Sequence, residues 1–243
     1  MDVENKAICT VEERVNFYGC DYKGRMKIST MLEIAAELAG YDYTKKGYGH
    51  QELLDKQMVF LLSRISLKIN HYPTSQNTLK NSTWECGKQG ALFLRGTEMV
   101  FESGEIAVSM KSGWVLANPV TRSIYKPSVY NFNMPQLLDK EITANDLTKI
   151  SSNNLKLVGN RQVRISDLDE NGHVYNARYA DMASDVMTQE VFEKDVDNFR
   201  INYINEARLG DTIDLYADIT DSGAVIIGMV LETICFQTEF IFK

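Results

Sequence analysis

The chain is poor in cysteine, in histidine and in positive charge, and each shortage excludes something. Its four cysteines, Cys9, Cys20, Cys86 and Cys235, are scattered without C-x-x-C spacing. They make neither a disulfide frame nor a zinc site and read as the reduced thiols of a cytoplasmic protein. Lys and Arg number 26 against 33 Asp and Glu, a net charge of −7, which lacks the dense positive surface that nucleic acid requires. No run of 18 or more apolar residues exists, so no membrane-spanning helix is expected. The opening MDVENKAICTVEERV has no basic segment leading into an apolar one, so a secretory leader is not expected either. There is no G-x-S-x-G elbow, no P-loop and no G-x-G-x-x-G turn, and no cofactor or metal is anticipated.

What is present is a soluble globular composition, 44% hydrophobic and 24% charged over 243 residues, enough for two small domains. Of only four prolines, Pro119, Pro127 and Pro135 fall within seventeen residues and mark a seam. The division expected is residues 1–127, a linker over 128–150 and a second unit over 151–243. The charge divides with it: +2 over residues 1–127 and −9 over the remainder.

The two units share one order of elements. In the first, a strand over Ile8 to Phe17 leads through a polar loop to a helix opened by the capping-box pattern Thr30-x-x-Glu33, with Leu32, Ala35, Ala36 and Ala39 on its apolar face. In the second, a strand over Leu155 to Ile165 leads through Ser166–Val174 to a helix carrying Tyr179, Met182, Ala183 and Val186. Sliding one unit along the other by 148 sets Val15 on Val163, Asp21 on Asp169, Gly24 on Gly172 and Ala35 on Ala183. Four strand-like stretches follow each helix. One strand, one long helix and four antiparallel strands, twice over, predict an α+β tandem (double) hotdog: two curved sheets, each wrapped around a central helix, joined edge to edge.

The segment Asp167-Leu168-Asp169-Glu170-Asn171-Gly172-His173-Val174-Tyr175-Asn176 packs carboxylates, a carboxamide and an imidazole into one turn. Its start matches an EF-hand loop, but the position for the closing bidentate Glu is Arg178 and no helix precedes it, so calcium is set aside. Asp169 and Asn171 suit turn shaping and capping; with His173 before a helix they also suit acyl transfer, helped by backbone N–H donors. Glu206 ends an apolar strand, a place for either a solvated carboxylate or a catalytic one. His50 and His71 have no catalytic partner nearby in sequence, and Cys235, Trp84 and Trp114 suit a core.

The chain resembles the acyl-ACP thioesterases, the plant plastid enzymes and their bacterial relatives. DLDENGHVYNARY is similar to the family's D-L-D-x-N-x-H-V-N-N-x-x-Y motif, and NYINEA to its E-Y-R-R-E-C segment. STWECGKQG, SGE and SGWVLANPVTR are similar to its T-W…G-K-x-G, G-E and S-x-W-V-x-x-N-x-x-T-R run. The resemblance implies hydrolysis of the thioester of fatty acyl-acyl carrier protein, with Asp169, Asn171, His173 and Glu206 in catalytic positions and acyl-phosphopantetheine on its carrier as the substrate.

Departures from the family sharpen this reading. Ala207 stands where plant members have a cysteine, which favours direct attack by water over an acyl-enzyme. Tyr175 replaces an asparagine, and Leu92-Phe93 replaces an Arg-Arg pair that would suit an acidic carrier. The long extension of plastid members has no counterpart, as in a bacterial cytoplasmic form.

On this reading water is held by Glu206 and His173, Glu206 is made basic by burial, and Asp169 orients His173 or Asn171. The acyl chain runs along the first helix past Met31, Ile34 and Leu38. An acyl-CoA thioesterase on the same fold and a non-catalytic acyl-binding protein remain alternatives, and both a monomer and a homodimer are compatible with fused hotdogs.

Overall fold

The computed structural model describes residues 7–126, 138, 140–151 and 153–243. Pro127, Pro135 and much of the expected linker lie outside the described residues. The first unit runs β1 (Ile8–Arg14), α1 (Ile28–Lys45), α2 (His50–Leu54), β2 (Val59–Ile69), β3 (Thr78–Gln89), β4 (Leu92–Phe101) and β5 (Ile106–Ala117). The second runs β6 (Lys156–Gln162), α3 (Arg178–Asp185), α4 (Gln189–Phe192), β7 (Val196–Tyr203), β8 (Thr212–Ile219), β9 (Gly223–Val230) and β10 (Thr233–Phe242).

All ten strands form one antiparallel sheet in the order β1-β3-β4-β5-β2-β7-β10-β9-β8-β6. Each half is the other read backwards, so the two units are related by a pseudo-twofold axis between β2 and β7. Those central strands pair Arg64 with Asn202, Ile65 with Ile201 and Leu67 with Phe199. The pairing removes two open edges and makes the tandem hotdog a single sheet. The helix α1 packs on β1 and β3, α3 on β9 and β10, and the two helices touch. They therefore share one face of the sheet, and Met31, Leu32, Leu67, Met182, Phe199 and Phe236 belong to one core that runs through both units.

Two expectations change. The helix α1 starts at Ile28 with Lys27 as its cap and no side-chain capping bond. Thr30 instead donates its hydroxyl to Gly19 O at 3.0 Å, because the preceding loop folds back onto the first turn. The second helix is short: α3 ends at Asp185, and Thr188 accepts a hydrogen bond from Val191 N to open the separate α4. Only the first unit has a long central helix.

The interior of the first unit is less apolar than its sequence suggests. Arg95, 1% exposed, lies between Asp42 at 2.8 Å and Glu85, over the ring of Tyr43. Burial pushes the Tyr43 hydroxyl up, as does the neighbouring Glu85. A buried guanidinium of this kind is tolerable only while both carboxylates remain.

Candidate active site

The loop from Asp169 to Val174 is a compact turn built by its first residue. Asp169 Oδ1 accepts from the backbone N–H groups of Asn171 at 2.9 Å and His173 at 3.2 Å, and Asp169 N donates to His173 O. Gly172 takes φ +76°, a left-handed conformation that glycine adopts without strain. Asp167 is buried and ion-paired with Arg161 at 2.7 Å, while its other oxygen accepts from Arg164 N. No metal-holding cluster occurs among the described residues.

The second arm of the site is the segment after β7. Val174 N donates to Ala207 O, and the Tyr179 hydroxyl accepts from Ala207 N at 3.1 Å. A backbone bridge between His173 and Arg208 completes the junction. With the N–H and carbonyl of the next residue, Ala207, both held, Glu206 Oε2 stands 3.2 Å from His173 Nε2. Sequence distance has closed to hydrogen-bond distance. Ala207 is fully buried, so the family's cysteine position faces the protein interior here.

A residue that the sequence reading did not single out completes the pair. Arg122 donates Nη1 to Glu206 Oε1 and Nη2 to Glu206 Oε2, each at 2.9 Å. It has φ +60°, unusual for a side chain of its size. The loop that imposes this is closed by Asn118, whose Oδ1 accepts from Val120 N and Thr121 N and whose carbonyl accepts from Arg122 N. The signal was present in the family-like run ending T-R, but nothing in the linear sequence connects residue 122 with residue 206.

Three expectations about the site need correction. Glu206 is not buried as expected: its side chain is 36% exposed and faces the Arg122 guanidinium. Asp169 bonds backbone N–H groups, not the side chains of Asn171 or His173, so it shapes the loop. The helix start lies beyond the site as well, since α3 begins at Arg178 and Arg178 N already donates to Tyr175 O. Asn171 is exposed, and its carboxamide makes no hydrogen bond among the described residues.

The other singled-out residues fall as follows. His71 does have an acidic partner, Glu105 at 3.0 Å, on the open surface; His50 opens α2. Trp84 and Cys235 are buried, and Trp114 donates its indole N–H to Ser112. Phe93, at the family's Arg-Arg position, is core and packs edge-on against Phe60.

A groove of about 500 Å³ lies between α1 and the inner face of β1 and β3, lined by Val11, Val15, Ile34, Leu38 and Leu79 and by polar residues such as Thr30. Ile34 and Leu38 thus face it, whereas Met31 is fully buried and lies outside its lining. Glu33 and Glu37 also line this groove. Their charges act on Tyr175, just past the Asp169–Val174 loop, whose hydroxyl is pushed up to about 12, first by burial and then by Glu37 and Glu33. Arg178 approaches Glu33 at 3.5 Å.

The pseudo-twofold axis supplies a control. The loop Asp21–Met26 repeats the bonding of Asp169–Val174: Asp21 Oδ1 accepts from Lys23 N and Arg25 N, Asp21 N donates to Arg25 O, and Gly24 has φ +78°. In this copy Lys23 replaces Asn171, Arg25 replaces His173, and Tyr72 occupies the counterpart of Glu206. Arg25 is consumed by Asp21 and Asp195, both at 2.9 Å. The same backbone therefore serves as a clamp in one unit, and only the other holds an imidazole against a carboxylate.

Comparison with known proteins gives the family and the fold. A family model described as the acyl-ACP thioesterase N-terminal domain matches residues 8–128, and one described as the acyl-ACP thioesterase C-terminal domain matches residues 151–235. A chloroplastic acyl-[acyl-carrier-protein] hydrolase of Cuphea viscosissima is 25% identical over 180 residues, covering 69% of this chain and 43% of its own. A chloroplastic palmitoyl-acyl carrier protein thioesterase of Arabidopsis thaliana is 30% identical over 145 residues, 55% of this chain and 34% of its own. The chain thus spans less than half the length of these curated relatives. Among solved structures, an acyl-ACP thioesterase from Bacteroides thetaiotaomicron superposes with a TM-score of 0.91 at 20% identity, covering 100% of both chains. The 12:0-ACP thioesterase from Umbellularia californica superposes at 0.80 with 16% identity, covering 98% of this chain and 97% of its own. The fold is the one these proteins share. No helix among the described residues is long and apolar enough to cross a membrane.

Proposed function

Because the chain belongs to the acyl-ACP thioesterase family, we propose that it hydrolyses the thioester of a fatty acyl group carried on the phosphopantetheine arm of acyl carrier protein. The observation that carries this reading is the Arg122–Glu206–His173 array, assembled across the two units at hydrogen-bond distances.

In this reading Nε2 of His173 carries a proton facing Glu206 Oε2, 3.2 Å away, which leaves the lone pair on Nδ1. His173 is then the proton acceptor and Glu206, held by Arg122, its orienting partner. His173 takes a proton from water as the water oxygen bonds to the thioester carbon. The carbonyl oxygen becomes an oxyanion, and Asn171 supplies an N–H donor to it. Collapse re-forms the carbonyl and breaks the C–S bond. The departing thiolate takes the proton from the imidazolium, releasing fatty acid and the carrier thiol. Ala207 offers no nucleophile, so the step is direct. The first unit receives the acyl chain in the groove along Ile34 and Leu38, and the second supplies His173, Asn171 and Glu206.

The test is thiol release from a ladder of acyl carrier substrates, with matching acyl-CoA thioesters and free-acid binding run alongside. Carrier-linked chains are expected to be cleaved faster than CoA-linked ones, and His173→Ala to lower turnover roughly 100- to 1,000-fold, the scale on which a catalytic group is lost. Faster cleavage of CoA thioesters, or binding without thiol release, would replace this reading by one of its two alternatives.

A further inference from the structure

Asn81 sits on the inner face of β3 between Leu79 and Thr83, opposite Val11 on β1 and Met99 on β4. It is 2% exposed, and its Oδ1 has no hydrogen-bond partner among the described residues. Its polar neighbour is fully engaged: Thr83 donates its hydroxyl to Gly96 O and accepts from Arg95 and Thr97. Several other buried polar atoms lack partners, those of Ser66 and Ser109 among them, but of that set Asn81 alone lines the groove beside α1. The Asn81-Ser82-Thr83 triplet has the form of a glycosylation sequon, which burial of the asparagine makes irrelevant.

A buried acceptor without a donor costs more than the hydrogen bond itself contributes when made. A saturated acyl chain lying along Val11, Val15, Ile34 and Leu38 would offer Oδ1 no donor. A chain bearing a hydroxyl would donate O–H to Oδ1 and bury its methylenes on the same apolar residues. A site of this kind discriminates strongly, because the wrong ligand leaves the protein's own polar atom unpaired.

We infer that this groove selects acyl chains carrying a hydroxyl group, and that Asn81 is the residue that reads the hydroxyl. The inference rests on the hydrolase reading only for the link to turnover; the preference in binding stands on the groove alone. The groove's other polar residues, Glu13, Arg14, Asn16, Tyr18, Thr30 and Tyr41 together with Glu33 and Glu37, are not among the buried groups left without a partner.

The experiment uses the full chain and acyl carrier thioesters of one chain length, either unsubstituted or with a single hydroxyl at successive carbons. Thermal shift with the corresponding free acids provides a readout independent of hydrolysis. At the matching carbon, kcat/KM for the hydroxylated chain should exceed that for the plain chain roughly 5- to 100-fold, the scale of one unpaired buried acceptor. The hydroxy acid should also raise Tm more than the plain acid. Asn81→Leu should abolish both differences, and Asn81→Thr, which keeps an acceptor on a strand-favouring side chain, should retain part of them.

Equal handling of all chains by the native protein overturns the inference, as does a loss in Asn81→Leu that is the same for every substrate, which would place the carrier's amide-bearing arm at this position. If no thioester is cleaved but the hydroxy acid still stabilises the native protein selectively and not Asn81→Leu, the groove assignment stands and the hydrolase reading falls.

Discussion

Arg122 and Glu206, 84 residues apart, face each other as two parallel N–H···O bonds of 2.9 Å. Their side chains are 46% and 36% exposed, so this pair contributes little to stability by itself. Its value is directional: a planar guanidinium fixes the plane of a carboxylate, and that carboxylate meets His173.

Arg122 should therefore act on turnover more than on folding. Arg122→Ala is expected to lower kcat about 10- to 100-fold with a smaller change in KM and little change in Tm. Arg122→Lys should recover only part of the loss, since an ammonium has no fork. Added guanidinium salt at low concentration should restore part of the Arg122→Ala rate. A variant whose KM rises while kcat holds would reassign Arg122 to substrate binding.

His173 and Glu206 should behave as one unit. His173→Ala and Glu206→Gln are each expected to be severe, and the double variant scarcely worse than His173→Ala, because groups acting together are not additive. Steady-state rates for the three proteins test this. Losses that multiply would mean that the two residues act separately.

Tyr179 holds Ala207 N and packs against Phe236 with ring centroids 4.8 Å apart. Tyr179→Phe keeps the ring and strands the buried Ala207 N–H, which should cost about 1–3 kcal/mol in denaturant unfolding. Turnover should also fall several-fold as residue 206 gains freedom. Unchanged stability would show that Ala207 N finds another acceptor.

Asp42 is the test of the buried charge network. Asp42→Ala leaves Arg95 with Glu85 alone, and a buried charge deprived of a partner typically costs about 3–5 kcal/mol. Urea unfolding should show the loss, whereas an exposed pair such as His71–Glu105 should show almost none.

Glu33 gives a pH signature. Burial raises its carboxyl above the ordinary 4.5, against the smaller opposing influence of Arg178. The folded state therefore holds this proton more tightly than the unfolded state. Stability falls as pH rises through that range, and the penalty is then constant toward neutrality. Glu33→Gln should raise Tm by about 1–2 °C near neutral pH, and the gain should disappear below pH 4.5. A gain that persists in acid would rule out titration of Glu33 as its source.

Most of the scaffold was legible in the linear order. The four strands expected after each helix are present, Val59–Ile69 and Thr212–Ile219 among them, and the offset of 148 reappears hydrogen bond for hydrogen bond in the loops led by Asp21 and Asp169. Caps and helix lengths were less legible, because Thr30 and Thr188 had alternatives that depend on packing: the first bonds the preceding loop, and the second opens a new helix.

The amino-acid order by itself determined the repeat, the sheet-forming segments and the chemistry concentrated in residues 167–176, because these are local patterns of side-chain type and spacing. Tertiary structure alone decided which groups meet. It brought Arg122 to Glu206, turned Asp169 toward the backbone, left Glu206 in partial contact with solvent and sealed Asn81 inside a groove. Each of these depends on distances across the β2–β7 junction or between a helix and a sheet, and such distances are set by how two surfaces pack.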